Sequence, residues 1–257
     1  MASSGALLRI DAATVRFGGV TAVDGVSLRI ADGEVIGLLG PNGAGKSTLL
    51  SAISGQVALN TGAIHLAGRD LARVNVAARV RLGIGLSHQV VRVFADMTLL
   101  QNVALAAGEA FTRTPWRAVM HADRSRFEAR ALEYLHALGL ADLAGRIACT
   151  QPYGVLKRLE VARALATVPR VLLLDEPLAG LTHVESSQLA DVIAGLHRQG
   201  MTVVLIEHKL GEVLRICPRL VVLDNGRKIA DGAAEAVIHD PGVVEAYLGA
   251  GAAHAHA

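Results

Sequence analysis

Leu8, Ile10 and Ala12, then Val15 and Phe17, then Val26, Leu28 and Ile30 alternate with polar neighbours. A period of two predicts short strands, broken at Gly18-Gly19 and Asp24-Gly25, and so a small antiparallel sheet. Val35 to Leu39 is an unbroken apolar run leading into a glycine-rich turn, and Ser47 to Ser54 reads as the start of a helix. Helical periodicity follows over Leu99 to Ala107 and Asp123 to Leu138, where Phe127, Ala131, Tyr134, Leu135 and Leu138 share one face. From Val171 buried strands return: Val171 to Leu174, Thr202 to Ile206, Leu220 to Leu223 and Lys228 to Ala230, with helices over Ser186 to Leu196 and from Leu210. The pattern predicts a parallel α/β core interrupted by a helical insert. The Gly/Ala/His-rich stretch after Leu248 reads as a frayed tail.

Composition changes this picture little. At about 150 residues per domain, 257 residues suit one large domain or a core with a small subdomain. Hydrophobic residues make up 52% and the mean hydropathy is +0.41, yet every apolar run falls far short of the roughly 18 residues a membrane-spanning helix needs. Met1 to Leu8 lacks a basic start and a long apolar stretch, so the expected location is the cytoplasm. Cys149 and Cys217 lie far apart with no Cys-x-x-Cys, which argues against a disulfide or zinc framework and reads as two core thiols. A net charge of +2 and 3% aromatic residues leave neither a basic stripe nor a stacking surface, so nucleic acid is not an expected partner.

Candidate chemistry changes it decisively. Gly40-Pro41-Asn42-Gly43-Ala44-Gly45-Lys46-Ser47 matches GxxxxGK[ST] between an apolar strand and a helix. Glycines there let successive backbone N–H groups face phosphate oxygens, and the helix N-terminus adds partial positive charge. Lys46 neutralises the β- and γ-phosphates and the Ser47 hydroxyl is a Mg²⁺ ligand, with Thr48 beside it. A second acidic element follows in Val171-Leu172-Leu173-Leu174-Asp175-Glu176, where two carboxylates emerge at the carboxyl end of a buried strand. Asp175 is the candidate to orient Mg²⁺ and Glu176 to polarise the attacking water. The fold class is α/β: a P-loop, RecA-like core with a mostly parallel sheet, an N-terminal antiparallel subdomain and an inserted α-helical subdomain.

With these motifs in place, the sequence resembles the ATP-binding subunits of ABC transporters over nearly its whole length. The resemblance implies three further roles. Gln89, in Ser87-His88-Gln89-Val90, matches the glutamine loop that joins the core to the helical subdomain and is a candidate both for catalysis and for Mg²⁺; His208, in Leu205-Ile206-Glu207-His208, matches the switch histidine at the γ-phosphate; Phe17 matches the aromatic that stacks on adenine. Within that superfamily, Arg16-Phe17-Gly18-Gly19, Glu207-His208 and the stretch from Asp240-Pro241 through Tyr247-Leu248-Gly249 look like the branched-chain amino acid importers, a group that also handles urea and short amides. Thr114-Pro115-Trp116 is similar to that group's longer helical insert. On this resemblance the core spans 1–94 and 168–248, the helical subdomain 95–167, and the tail 249–257.

The family signature, often L-A-Y-G-Q in this group, stands here as Gln151-Pro152-Tyr153-Gly154-Val155. Its serine hydroxyl is absent, which leaves Tyr153, the Gly154 amide and the helix dipole to meet a γ-phosphate held by an opposing subunit. Pro152 suits a helix's first turn. Thr182 stands where many relatives carry aspartate or asparagine. The resemblance implies ATP and Mg²⁺ as cofactors, integral-membrane permease subunits and a second ABC ATPase as partners, a solute-binding protein in the same system, and a peripheral position on the inner face of the cell membrane. The degenerate signature points to a partner ATPase different from this chain. Two alternatives stand beside this reading: a lipopolysaccharide-export ATPase, and a soluble ABC ATPase acting on nucleic acid or ribosomes.

Overall fold

The computed structural model describes residues 5–111 and 121–254, so Thr114-Pro115-Trp116 lies outside the described residues. Strands β1 (Leu8–Phe17) and β2 (Val20–Ile30) form a tight hairpin in which Phe17 faces Val20. β3 (Val35–Leu39) is buried at every position and leads through the Gly40–Gly45 loop into α1 (Lys46–Ser54). Then come β4 (Thr61–Leu66), β5 (Arg69–Asp70), α2 (Val76–Arg81), β6 (Ile84–Ser87), α3 (Leu99–Phe111), α4 (His121–Ala137) and α5 (Tyr153–Ala166). The chain continues through β7 (Val171–Asp175), α6 (His183–Arg198), β8 (Thr202–Ile206), α7 (Leu210–Ile216), β9 (Arg219–Asp224), β10 (Arg227–Ala233), α8 (Ala234–Ile238) and α9 (Pro241–His254).

The chain forms two compact units, Met1–Arg79 with His197–Ala257, and Val80–Leu196. In the first, β3 pairs in parallel with β8 on one side and β9 on the other, and β10 closes the edge antiparallel to β9. Val35, Ile36, Val203 to Ile206 and Leu220 to Leu223 are all buried, as fits strands covered on both faces. The same unit holds an antiparallel sheet in the order β2-β1-β4-β5. In the second unit β6 and β7 pair in parallel, and α3, α4 and α5 pack on one another. This unit takes in the 95–167 segment together with β6, β7 and most of α6.

Several details depart from the sequence pattern. Asp24-Gly25 does not end a strand: β2 runs through it, with Gly25 at φ 65 beside a register shift against β1. That is how a bulge absorbs an extra residue without ending the ladder. The N-terminal sheet is completed by β4 and β5, which come after the glycine-rich loop, and their short polar stretch carries too little alternation to be recognised. Helix α9 runs past Leu248 to His254 where a frayed end is expected, in keeping with the high helix propensity of its alanines. Cys149 is exposed, so only Cys217 is a core thiol.

Candidate functional site

The first unit carries the phosphate loop. Gly40 has φ 144, and a Cβ there would lie 2.0 Å from the Leu223 carbonyl oxygen, so only glycine lets the chain leave β3 this way. Gly45 caps α1 at φ 97, and a Cβ there would stand 2.2 Å from the Ala22 carbonyl oxygen. Because glycine occupies the cap, the cap residue brings no side chain to the first amides of α1, as suits a helix N-terminus that faces an anion. Lys46 is only 6% exposed, and its ammonium donates to the carbonyls of Gly40 (2.7 Å) and Pro41 (2.9 Å). Asn42, Gly43 and Ser47 are exposed, Thr48 is half-buried and Ala44 is buried.

Two contacts around this loop carry no motif. The Gly40 N–H donates to the Tyr247 hydroxyl of α9 at 2.8 Å. At the other end of α1, Arg79 donates to the carbonyls of Ala52, Ile53, Leu71 and Val74 at 2.7 to 2.9 Å, tying down the helix's last turn. Phe17 is 51% exposed at the hairpin end of β1, a ring face open to a stacking partner. His208 follows β8 at the surface, and its N–H donates to the buried Glu207 carboxylate at 3.2 Å. Leu39, Glu207, His208, Leu210, Val237, Val243 and Tyr247 border a cavity of about 320 Å³.

The second unit carries the acidic centre. β7 is buried throughout, and Asp175 at its end is 9% exposed. Glu176 sits at φ 49, a left-handed conformation that non-glycine residues rarely hold without functional reason. Gln89 donates from Nε2 to Glu176 Oε2 at 2.9 Å, so these two predicted residues meet. Lys157, buried to 1% exposure, donates to the backbone carbonyls of Gln89 (2.6 Å) and Glu176 (3.0 Å). Sequence reasoning assigned Lys157 nothing; the available signal was a lysine on the buried stripe of α5 beside Glu160 and Val161. Glu160 is buried too. It accepts from the Arg92 N–H and pairs with Arg163 at 3.6 Å, while burial pushes its carboxyl above the usual range.

The signature region begins α5. Pro152 occupies the cap position before the first turn rather than the turn itself, at φ −58 and ψ 153, and Val155 and Leu156 both donate back to its carbonyl. Proline has no N–H and no hydroxyl, so it caps α5 without a side-chain bond and leaves Tyr153 and Gly154 as the outward amides. A Cβ at Gly154 would meet Glu185 Oε1 at 2.2 Å, and one at Gly180 would meet the Tyr153 ring at 2.7 Å. Thr182 forms a capping box with Glu185: the Glu185 N–H donates to Thr182 Oγ1 at 3.3 Å, and the Thr182 N–H to Glu185 Oε2 at 3.0 Å. Threonine, like aspartate or asparagine, is a residue type suited to that cap. The Thr182 N–H, and after it the Thr182 hydroxyl donating to Oε2 at 2.8 Å, hold the Glu185 carboxyl below its ordinary range.

Comparison with known proteins shows the family. Residues 23–179 match the ABC transporter family model, and residues 227–253 match that of the branched-chain amino acid ATP-binding cassette transporter. The high-affinity branched-chain amino acid transport ATP-binding protein BraF of Pseudomonas aeruginosa is 37% identical over 250 residues, 95% of this chain and 98% of that protein. The corresponding protein LivG of Salmonella typhimurium is 36% identical over 249 residues, again 95% and 98% of the two chains. A nucleotide-free ATP-binding cassette from an ABC transporter superposes with a TM-score of 0.82 at 30% identity, covering 94% of this chain and 98% of the other. The chain belongs to the ABC transporter family, as an ATP-binding protein that carries the C-terminal segment of the branched-chain amino acid cassettes.

Proposed function

We propose that the chain hydrolyses ATP to drive a membrane importer for branched-chain amino acids or related amides and urea. The observation that carries the nucleotide role is the glycine-capped N-terminus of α1, with the Lys46 ammonium folded against the loop that precedes it. Lys46 and the loop amides of Gly40 to Ser47 hold the β- and γ-phosphates, and the Phe17 ring stacks on adenine. Glu176 accepts the proton of the attacking water, Gln89 orients that carboxylate, and His208 donates to the γ-phosphate.

Ser47, Asp175 and Gln89 offer a hydroxyl, a carboxylate and an amide oxygen, the hard donors that suit Mg²⁺. Gln89 turns its amide nitrogen to Glu176, which leaves the amide oxygen as the acceptor for a cation. A bound Mg²⁺ would neutralise charge on the phosphates. The substrate assignment rests on the 227–253 segment, which favours this importer group over lipopolysaccharide export. No helix among the described residues is long and apolar enough to cross a membrane. In this reading, permease subunits provide the pathway, a second ATPase supplies the facing signature and a solute-binding protein delivers the cargo. The chain works at the inner membrane face.

The test is ATP turnover by the purified chain and by the assembly reconstituted with its permease. Lys46→Ala should lose ATP binding, whereas Glu176→Gln should bind ATP and hydrolyse it roughly a hundredfold more slowly, about 3 kcal/mol of barrier. Undiminished hydrolysis in either variant defeats the assignment. Uptake of labelled leucine by the reconstituted assembly decides the substrate class.

A further inference from the structure

Lys157 is the most buried cation among the described residues, and its ammonium donates to two backbone carbonyls. Both carbonyls belong to residues at the acidic centre. The first is Gln89, at 2.6 Å, on the loop after β6; the second is Glu176, at 3.0 Å, after β7. The Glu176 carbonyl also accepts from the Ala179 N–H at 3.2 Å, so both of its lone pairs are directed. The side chains of the same two residues meet at 2.9 Å. One ammonium thus fixes the backbones of a pair whose side chains fix each other.

Glu176 needs such a hold. Its φ of 49 is an unfavourable conformation for a residue with a Cβ, and it persists only where the surroundings over-determine it. A water-polarising carboxylate must also be placed within a few tenths of an ångström, which the backbone conformation sets. Lys157 lies one turn into α5 from Tyr153 and Gly154, and its ammonium stands 5.8 Å from the centre of the Tyr153 ring. The first turn of α5 and the Glu176 backbone are therefore joined through a single side chain.

We propose that Lys157 is a positioning residue for Glu176: it holds the Gln89 and Glu176 backbones in register and transmits displacement of the first turn of α5 to the water-polarising carboxylate. This rests on the assignment of Glu176 as the base. The full chain with Lys157→Met, Lys157→Arg, Glu176→Gln and the Lys157→Met/Glu176→Gln pair tests it. The readouts are binding of a fluorescent non-hydrolysable ATP analogue and single-turnover hydrolysis.

Lys157→Met should bind the analogue within about twofold of wild type while hydrolysis falls at least tenfold, because both carbonyls that the lysine holds belong to the carboxylate and its partner. Lys157→Arg keeps the charge and several donors and should recover most of the rate. The double variant should react no more slowly than Glu176→Gln alone, since a residue acting through Glu176 has nothing left to position. A wild-type rate in Lys157→Met overturns the proposal, as does a tenfold loss repeated in full on top of Glu176→Gln. If Lys157→Met does not fold, Lys157→Gln, which keeps a donor for the two carbonyls, is read against Glu176→Gln by the same non-additivity. Normal hydrolysis by Glu176→Gln would instead remove the base assignment and leave ATP binding intact.

Discussion

The Gly40 N–H donates to the Tyr247 hydroxyl at 2.8 Å, while the carbonyl of the same glycine accepts from Lys46 Nζ at 2.7 Å. The first residue of the phosphate loop is therefore gripped on both peptide faces, once from within the loop and once from α9. Burial pushes the phenol above its ordinary range, so the hydroxyl stays protonated at neutral pH. The ring borders the cavity of about 320 Å³ and is not enclosed on all sides, so its hydroxyl more than its packing fixes it. Tyr247→Phe keeps the ring and leaves the buried Gly40 N–H without its acceptor, a loss of about 1.4 kcal/mol. ATP affinity should fall about tenfold with kcat nearly unchanged. Nucleotide titration and saturating kinetics check this; an unaltered affinity makes the contact incidental.

Arg79 is the counterpart at the far end of α1. Its guanidinium meets four carbonyls, two of them in the helix's last turn, and a Cβ on Gly55 would lie 2.8 Å from Arg79 Nε. Arg79→Met fills much of the space and strands the acceptors. Stability should drop on the order of 3 kcal/mol. Urea denaturation followed by circular dichroism measures it, and a shift below about 1 kcal/mol would show that rearranged carbonyls compensate.

The phosphate loop and the Asp175-Glu176 pair were legible because each is contiguous: eight residues between a strand and a helix, and two carboxylates at the end of an apolar run. Tyr247, Arg79 and Lys157 were not legible, for a shared physical reason. Each bonds to backbone atoms, Lys157 reaching Gln89 across 68 positions, Tyr247 reaching Gly40 across 207 and Arg79 reaching Ala52 across 27, and a backbone atom leaves no mark on residue type. Strand β4 escaped likewise. Thr61 to Leu66 is short and carries a glycine at its second position, and pairing with β1 is what makes it a strand. The resemblance supplied Gln89 and His208, whereas the Gln89–Glu176 contact came from the structure alone.

His88 gives a pH dependence with a definite sign. Half-buried and facing Arg92 and Arg163, its imidazole is held below the ordinary value of 6.5 by burial first and by those two cations second. Above that value both folded and unfolded chains hold it neutral, and its contribution to stability is fully present. As pH falls through 6.5 the unfolded chain takes the proton first, so stability declines until the lower folded value is passed. Denaturation midpoints should therefore fall between pH 7.5 and 5.5 by less in His88→Asn than in wild type. Parallel curves for the two proteins would show that another histidine carries the effect.

The cap of α5 carries proline where the family signature that the sequence resembles carries a hydroxyl, and the departure has a measurable cost. Pro152 supplies neither the hydroxyl that would bond the first-turn amides nor a donor for a facing γ-phosphate, and Glu185 brings a carboxylate against Gly154 at the same helix end. A negative charge there offsets part of the helix dipole that should attract phosphate. Two identical chains facing each other would both lack the hydroxyl, a deficit of about 1.5 to 3 kcal/mol per site. ATP alone should then close a homodimer weakly. Pro152→Ser restores an oxygen that can accept from the α5 amides and donate to phosphate at once, and the extended backbone at φ −58, ψ 153 suits a serine cap. In a Glu176→Gln background, where ATP should turn over only slowly, the exchange should strengthen ATP-dependent dimerisation at least tenfold by light scattering. A second, different ATPase with an intact signature should stimulate the wild-type chain more than a further copy of itself does. Tight ATP-driven dimerisation of the unmodified chain, unchanged by Pro152→Ser, would mean that the Tyr153 and Gly154 amides suffice and that no different partner is needed.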